Sequence, residues 1–381
     1  MSKCNLIKNG FYFEAGNIGT TYCCEGVMPG IKHREHFQLK DWNKKREYEL
    51  AEYEKSKQGW LPSCLICKYR EDLGRDSMRI GAMQGDYEIS EDDFSIRKAV
   101  IKTDNKCNIA CRMCGPGASS KWVSNLNNNS PSPCFSGNSV NKEMTETDFE
   151  YMKKYIFTDK FRFLLFSGGE TMLSKWATKI LKYLIDNNLC KNMKCHFTTN
   201  GTIEFKDEWH TALNNFKECT VEYSIDGSGD VFNYIRAGHS WDKLIEIKDK
   251  LAAKHTKADI ECNYVAQMLN AHSHNTDQEN ITEFFSNMQL NKLQVSVLHQ
   301  PVELSYRALC NKLREKYNIN HLINDMDYDP EQFKKFMRNM AWQDMVHKTN
   351  LKEHNPDFFN TRYYAQELID EYYYKEFKPY V

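Results

Sequence analysis

Cysteine is the residue whose number and spacing first suggest chemistry in this chain. Fourteen occur among 381 residues, and three regions hold them close together. Cys107-Asn-Ile-Ala-Cys111-Arg-Met-Cys114 is a C-x3-C-x2-C triplet; Cys64 and Cys67 enclose two residues; Cys4 precedes the adjacent Cys23 and Cys24. The stretch Met1 to Gly10 has no basic region followed by an apolar run, so no secretion signal is expected and the chain reads as soluble and cytoplasmic. Thiols stay reduced in that compartment, and close-set cysteines then read as metal or cluster ligands. Three thiolates can hold three irons of a cubane cluster and leave the fourth iron without a protein ligand, the open position that a catalytic metal needs. On spacing alone, a zinc site with a fourth ligand elsewhere or a four-cysteine electron-transfer cluster stays open. The remaining cysteines, Cys134, Cys190, Cys195, Cys219, Cys262 and Cys310, are scattered, and several lie in apolar runs that read as core.

The triplet needs elements to hold it. Ala99–Lys102 reads as a strand ending at the triplet. Thr145 is an expected N-cap before a helix to Ile156. Phe161–Phe166 reads as a strand ending in Gly168-Gly169-Glu170, followed by a helix from Trp176 to Ile185. Cys195–Thr199 is a strand ending in Asn200-Gly201, and Thr220–Ile225 one ending in Asp226-Gly227. A helix over Trp241 to Lys254 and strands over Ile260–Met268 and Leu293–Leu298 complete the series. Strands separated by helical segments imply parallel βαβ units. About six such units, curled, give an α/β fold of the partial (β/α)6 TIM-like barrel type, with chemistry at the C-terminal strand ends. The unusual residues fall at those ends. Asn125 to Asn141 reads as a polar loop, and the chain after Pro301 as helical, ending in an aromatic-rich helix over Tyr363 to Phe377.

Residues 1–94 read as a separate N-terminal module with a short glycine-rich opening and a charged helix near Asp41 to Lys57. Acidic Glu91-Asp92-Asp93 marks the junction. Residues 95–301 form the barrel and 302–381 a helical extension. With 51 basic and 52 acidic residues there is no basic excess for phosphate contacts, so a nucleic-acid partner is not expected. No apolar run approaches the length of a membrane span. His33/His36 and His272/His274 could pair on a metal, but they read as exposed loop histidines.

The triplet resembles the signature of the radical SAM superfamily, and the resemblance extends over roughly Ser95 to Pro301. In that family the free iron chelates S-adenosylmethionine (SAM). One electron from the cluster cleaves a carbon–sulfur bond to give a 5′-deoxyadenosyl radical, which abstracts hydrogen from a substrate. The resemblance implies that Cys107, Cys111 and Cys114 hold a catalytic 4Fe–4S cluster. It places Gly168, Gly169 and Glu170 on the SAM ammonium group, where glycines allow close approach and a carboxylate complements a cation. Asn200, Ser224 and Asp226 match the polar strand ends that face SAM, and Arg236 matches an arginine able to pair with the SAM carboxylate. Met113 stands where the family often has an aromatic residue, and can still pack on adenine. Thr171 stands where proline is common after Gly-Gly-Glu.

The N-terminal cysteines resemble twitch and SPASM modules, which hold auxiliary clusters. Cys4, fourteen residues, Gly19, four residues, Cys24 is similar to their opening. Trp60-Leu-Pro-Ser-Cys64-Leu-Ile-Cys67, then Glu71, Gly74, Ser77 and Arg79, is similar to the second half. The implication is a second 4Fe–4S cluster on Cys4, Cys24, Cys64 and Cys67, with Cys23 able to replace Cys24; a four-cysteine zinc site is the alternative. The implied partners are a one-electron donor such as flavodoxin or ferredoxin and a peptide or protein side chain as substrate, or else a small molecule such as a sugar or amino-acid derivative. A non-enzymatic zinc-stapled interaction protein is the reading from another class.

Overall fold

The computed structural model describes residues 4–16, 19–23, 42–55, 60–61, 64–72, 74, 76–84, 95–129, 132–133, 135, 140–254, 257–323 and 327–375. Cys24, Cys134, His33, His36 and the acidic junction at 91–93 lie outside these residues. Two compact units divide the chain. The first comprises residues 1–105, 142–198 and 205–220, and the second residues 106–141, 199–204 and 221–381.

In the first unit, strands β1 (Gly10–Glu14), β3 (Lys98–Lys102), β4 (Phe163–Ser167) and β5 (Lys194–Thr199, its last residue assigned to the second unit) pair in parallel in that order. Strand β2 (Gly19–Thr21) pairs antiparallel with β1. This β1–β2 pair was not among the expected strands. Its run Gly-Phe-Tyr-Phe-Glu carries three aromatic residues suited to a sheet. Strand β4 begins at Phe163 and not at Phe161, because the Arg162 and Phe163 amides both donate to the Arg97 carbonyl at 2.9 Å.

Period-two alternation sorts the strand residues. Ala99 and Ile101, Leu164 and Phe166, and Cys195 and Phe197 are buried, while Lys98, Val100, Lys102, Leu165, Ser167 and His196 lie on a face that is only half-buried. A helix over Lys175–Asp186 buries Trp176, Ala177, Ile180, Leu181 and Leu184, the spacing of one helical face. Ser174 caps it by accepting from the Ala177 amide. The helix Glu146–Tyr155 starts, as expected, at Thr145, with a capping box to Asp148.

Strand β6 (Glu218–Ser224) begins in the first unit and ends in the second, which also holds β7 (Asp259–Ala266) and β8 (Leu290–Val297), paired in parallel. Helices Ser120–Asn128, Gly229–Ile235, Trp241–Ala252, His274–Phe284 and Pro330–His347 belong to this unit. The first corrects the expected polar loop, whose opening residues are helical. Ser119 caps that helix, and Trp122 is buried against Trp342 with ring centroids 5.8 Å apart. The expected helix over Tyr363 to Phe377 is also corrected. In this segment the helix starts only at Gln366, running as α-helix over Gln366–Ile369 and continuing as a π-helix over Asp370–Tyr374. A turn at Asn360 precedes it, and Tyr364 stacks on Phe333 at 3.5 Å, which fixes the chain before the helix starts. No helix among the described residues is long and apolar enough to cross a membrane.

The second unit has a buried polar centre. Arg112, 1% exposed, donates to the Tyr234 carbonyl at 2.8 Å and to Asp344 at 2.9 Å, and its guanidinium lies 3.7 Å from the Tyr234 ring centroid. Asp344 also accepts from the Tyr234 and Tyr373 hydroxyls, Thr349 Oγ1 and the Leu351 amide. Beside it, the His354 ring stacks on Tyr234 at 4.0 Å and donates through Nε2 to the Leu269 carbonyl. His272 and His274, expected as exposed, are packed instead. His272 contacts Asn355 and His354, and His274 is buried against Tyr264.

Two predictions test this centre. Asp344→Ala leaves a buried guanidinium uncompensated and should cost about 3–5 kcal/mol; the double replacement Arg112→Met/Asp344→Leu should cost less, as read by chemical denaturation. If the double variant is no more stable than the single one, the pair does not carry that penalty. The second concerns pH. Burial pushes the His272 imidazole down to about 4 and His354 down to about 3, from an ordinary 6.5. The unfolded chain therefore binds more protons between these values, so their stabilising contribution is present above pH 6.5 and is lost as the pH falls toward 4. The melting temperature should fall over that range, and less steeply in His272→Gln/His354→Gln. An unchanged slope in that variant would refute the assignment.

Candidate functional site

The second unit places the cysteine triplet in a loop pinned through its backbone. The Ala110 and Arg112 amides donate to the carbonyls of Ala237 and Ile235, each at 2.9 Å. Trp122 Nε1 donates to the Cys111 carbonyl at 2.9 Å, and Ser120 Oγ bonds both the amide and the carbonyl of Cys107 at 3.1 Å. Cys111 is buried, and Cys107 and Cys114 are half-buried.

Donors of hydrogen bonds converge on these sulfurs. Asn200 Nδ2 lies 3.7 Å from Cys107 Sγ, held there by Asn108 and Thr202. Arg236 Nη1 lies 3.6 Å from Cys111 Sγ, and Arg236 Nη2 pairs with Asp226 at 2.6 Å. The hydrogen bond from Cys114 and the charge of Arg236 hold the Cys111 thiol below its usual range against burial, whereas Cys114 is pushed up. Burial opposes charge on Arg236, but Asp226 and the thiols more than offset it, so the guanidinium stays ionised. Asp226 Oδ1 accepts from the Val265 amide, and Asn270 donates to the Asp226 carbonyl. Arg236 is thus engaged by Asp226 and by a cysteine sulfur.

Met113 is half-buried, and Gln267 Nε2 lies 3.3 Å from its sulfur. Gln267 follows the end of β7, and its fully buried Oε1 has no hydrogen-bond partner among the described residues. Ser224 is the last residue of β6. Gln267, Asn108 and Asn270 were not anticipated, because single amides in loops carry no spacing signal.

The first unit places Gly168-Gly169-Glu170 at the end of β4. Gly168 has φ +127°, and a Cβ there would lie 2.9 Å from the Asp104 carbonyl, so backbone geometry demands glycine. Glu170 is fully buried and accepts from the Met172 amide at 3.2 Å. Thr171, where proline was the comparison, donates through Oγ1 to the Thr198 carbonyl at 3.0 Å, a hydrogen bond in place of ring rigidity.

The N-terminal cysteines also come together in the first unit. Cys4, Cys23, Cys64 and Cys67 line one small cavity with Tyr22 and Trp60. Burial, with Cys64 and Cys67 adding to it, pushes the Cys4 thiol up to about 12. Tyr22 Oη lies 3.6 Å from Cys64 Sγ. Of the residues beyond Cys67, Glu71 accepts from Ser77 and pairs with Arg79, and the Arg79 guanidinium lies 4.7 Å from the Trp60 ring centroid.

Among the described residues no three His, Cys, Asp or Glu side chains form a group able to hold a metal ion. An iron–sulfur cubane takes one thiolate per iron and spaces its ligands more widely than a single ion does. In donor chemistry both sets fit such a group, since soft thiolates select iron–sulfur clusters and zinc.

Residues 101–284 match the family model described as the radical SAM superfamily. No curated protein matches the chain. Among solved structures, native anSMEcpe with bound AdoMet is similar at 17% identity and a TM-score of 0.40, over 67% of this chain and 62% of that one. Streptococcus suis SuiB bound to S-adenosylmethionine is similar at 14% identity and a TM-score of 0.38, over 74% of this chain and 59% of that one. The chain therefore covers less than two thirds of either length. The family match rests on the sequence itself: residues 101–284 carry a radical SAM domain, which supports catalytic activity.

Proposed function

We propose that Cys107, Cys111 and Cys114 hold the catalytic 4Fe–4S cluster of a radical SAM enzyme, and that Glu170 takes the SAM ammonium group. In this reading Arg236, held by Asp226, offers its guanidinium to the SAM carboxylate; Asn200 and Ser224 line the SAM site, and Met113 packs on adenine. The observation that carries the reading is the convergence of Asn200 and Arg236 on the sulfurs of a three-cysteine loop within the matched domain. When bound, the cluster and SAM supply a 5′-deoxyadenosyl radical. The protein's part is to hold SAM against the cluster and to shield the radical from solvent. A second 4Fe–4S cluster on Cys4, Cys64, Cys67 and a thiolate of the Cys23–Cys24 pair completes the proposal, with a peptide or protein side chain as substrate. The common cavity of four cysteines supports the second cluster. The substrate class is the one implied by resemblance to twitch and SPASM enzymes.

Anaerobic reconstitution should yield about eight irons per chain, and about four after joint replacement of Cys107, Cys111 and Cys114 by Ala. Reduction with dithionite should release 5′-deoxyadenosine from SAM in the former only. Stoichiometric zinc with iron near zero would defeat the proposal. For the ammonium site, Glu170→Gln keeps shape and removes charge, and should weaken SAM binding by about 1.5–3 kcal/mol in equilibrium dialysis. Unchanged affinity would remove Glu170 from the site.

A further inference from the structure

The half-buried face of the first unit's sheet carries a charged row at the C-terminal strand ends. Register places Glu14 opposite Lys102, and Lys102 opposite Ser167. Ser167 leads directly into Gly168, and a Cβ on Gly168 would lie 3.6 Å from Lys102 Cβ. Lys102 Nζ stands 3.4 Å from one Glu14 oxygen, and Lys142 Nζ 3.7 Å from the other. The Tyr12 hydroxyl donates to Glu14 at 2.8 Å.

Two ammonium groups thus share one carboxylate. Charge-assisted N–H···O bonds are normally about 2.7–2.9 Å long, so both contacts are loose, and each ammonium has three donors to place. The side chains are 33%, 16% and 13% exposed for Lys102, Lys142 and Glu14, so solvent compensates this excess positive charge only in part. Nor is Lys142 there by chance. Its amide donates to Asn105 Oδ1 at 2.8 Å, and its carbonyl accepts from the Asn105 amide. Its stem lies over Gly16, where a Cβ would come within 2.8 Å of Lys142 Cδ. A backbone anchor and a glycine platform hold this second cation over a carboxylate that already has one.

The geometry points to a carboxylate subsite: Lys102 and Lys142, held over Glu14, bind a carboxylate group of the substrate beside the Gly168–Glu170 segment. This deepens the reading above and rests on it, since it takes the C-terminal strand ends as the substrate end. The bound carboxylate bridges the two ammonium groups and competes with Glu14 for them. Removing the Glu14 charge should therefore strengthen binding, whereas a purely structural ion-pair cluster would only be weakened.

The test uses the reconstituted holoenzyme and acetate as the probe. An N-hydroxysuccinimide ester acylates Lys102 and Lys142 at rates followed residue by residue by mass spectrometry. Acetate should slow both by about threefold or more relative to chloride at equal ionic strength, and acetamide should not. Glu14→Gln should lower the acetate concentration giving half-protection by about threefold, and Lys142→Met should raise it at Lys102 by a similar factor. Equal rates in acetate and chloride overturn the subsite, as does half-protection that Glu14→Gln leaves unchanged or raises, or that Lys142→Met leaves unchanged. Formation of 5′-deoxyadenosine from SAM by the unaltered holoenzyme is measured separately. Its failure counts against the radical SAM reading, and failure of protection against the subsite.

Discussion

A guanidinium sealed inside the cysteine loop is the constraint on which the second unit is built. Arg112 sits between Cys111 and Cys114, and its side chain turns inward and not toward water. A buried cation requires a countercharge and hydrogen-bond acceptors, and Arg112 has them at Nε and Nη2 though not at Nη1. Asp344 supplies the charge from the helix Pro330–His347, and the Tyr234 carbonyl and Thr349 Oγ1 supply further acceptors. The same helix sends Gln343 Nε2 to the Arg112 carbonyl at 3.2 Å and Trp342 onto Trp122, which in turn holds the Cys111 carbonyl. The C-terminal segment is therefore part of the scaffold of the cysteine loop. The loop's geometry thus leans on contacts with residues more than two hundred positions later.

That dependence shows what could be read from the sequence. Local signals were legible. The spacing of Cys107, Cys111 and Cys114, the Thr145 cap and the short apolar runs of β3 to β7 each depend on residues within a few positions of one another. Long-range pairing was not. Nothing near Arg112 announces Asp344, and nothing near His272 announces His354, so His272, like His274, was expected at the surface. The helix Ser120–Asn128 was hidden because asparagine and serine dominate its exposed side, while burial of Trp122 and Val123 decides its state. The β1–β2 pair was hidden because its strands are short and the other partner of β1, β3, lies 88 residues on.

The alternation also explains where polar residues could accumulate without harming the fold. One face of β3, β4 and β5 is sealed by Ala99, Ile101, Leu164, Phe166, Cys195 and Phe197, and a single charge there would meet no partner. The opposite face is half-buried, and it carries lysine, serine and histidine at alternate positions. Parallel strands covered on both faces read as nearly continuous apolar runs. β4 does so over Phe163–Phe166, but β3 and β5 do not, and the second face of all three is only half-buried. Chemistry can be placed on it at little cost in stability, which is why Lys102 can lie in mid-sheet with Glu14 as its one ion-pair partner among the described residues.

The N-terminal cysteines show the same logic at the scale of one residue. The ladder between β1 and β2 ends at Thr21, two residues before Cys23. Tyr12 pairs with Thr21, and Thr21 Oγ1 then bonds both the amide and the carbonyl of Cys23, at 3.1 and 2.7 Å. Cys23 is thereby fixed at the cavity with Cys4, Cys64 and Cys67. The hydroxyl of Thr21 holds the turn that follows the strand, and so one threonine sets where Cys23 lies among these cysteines.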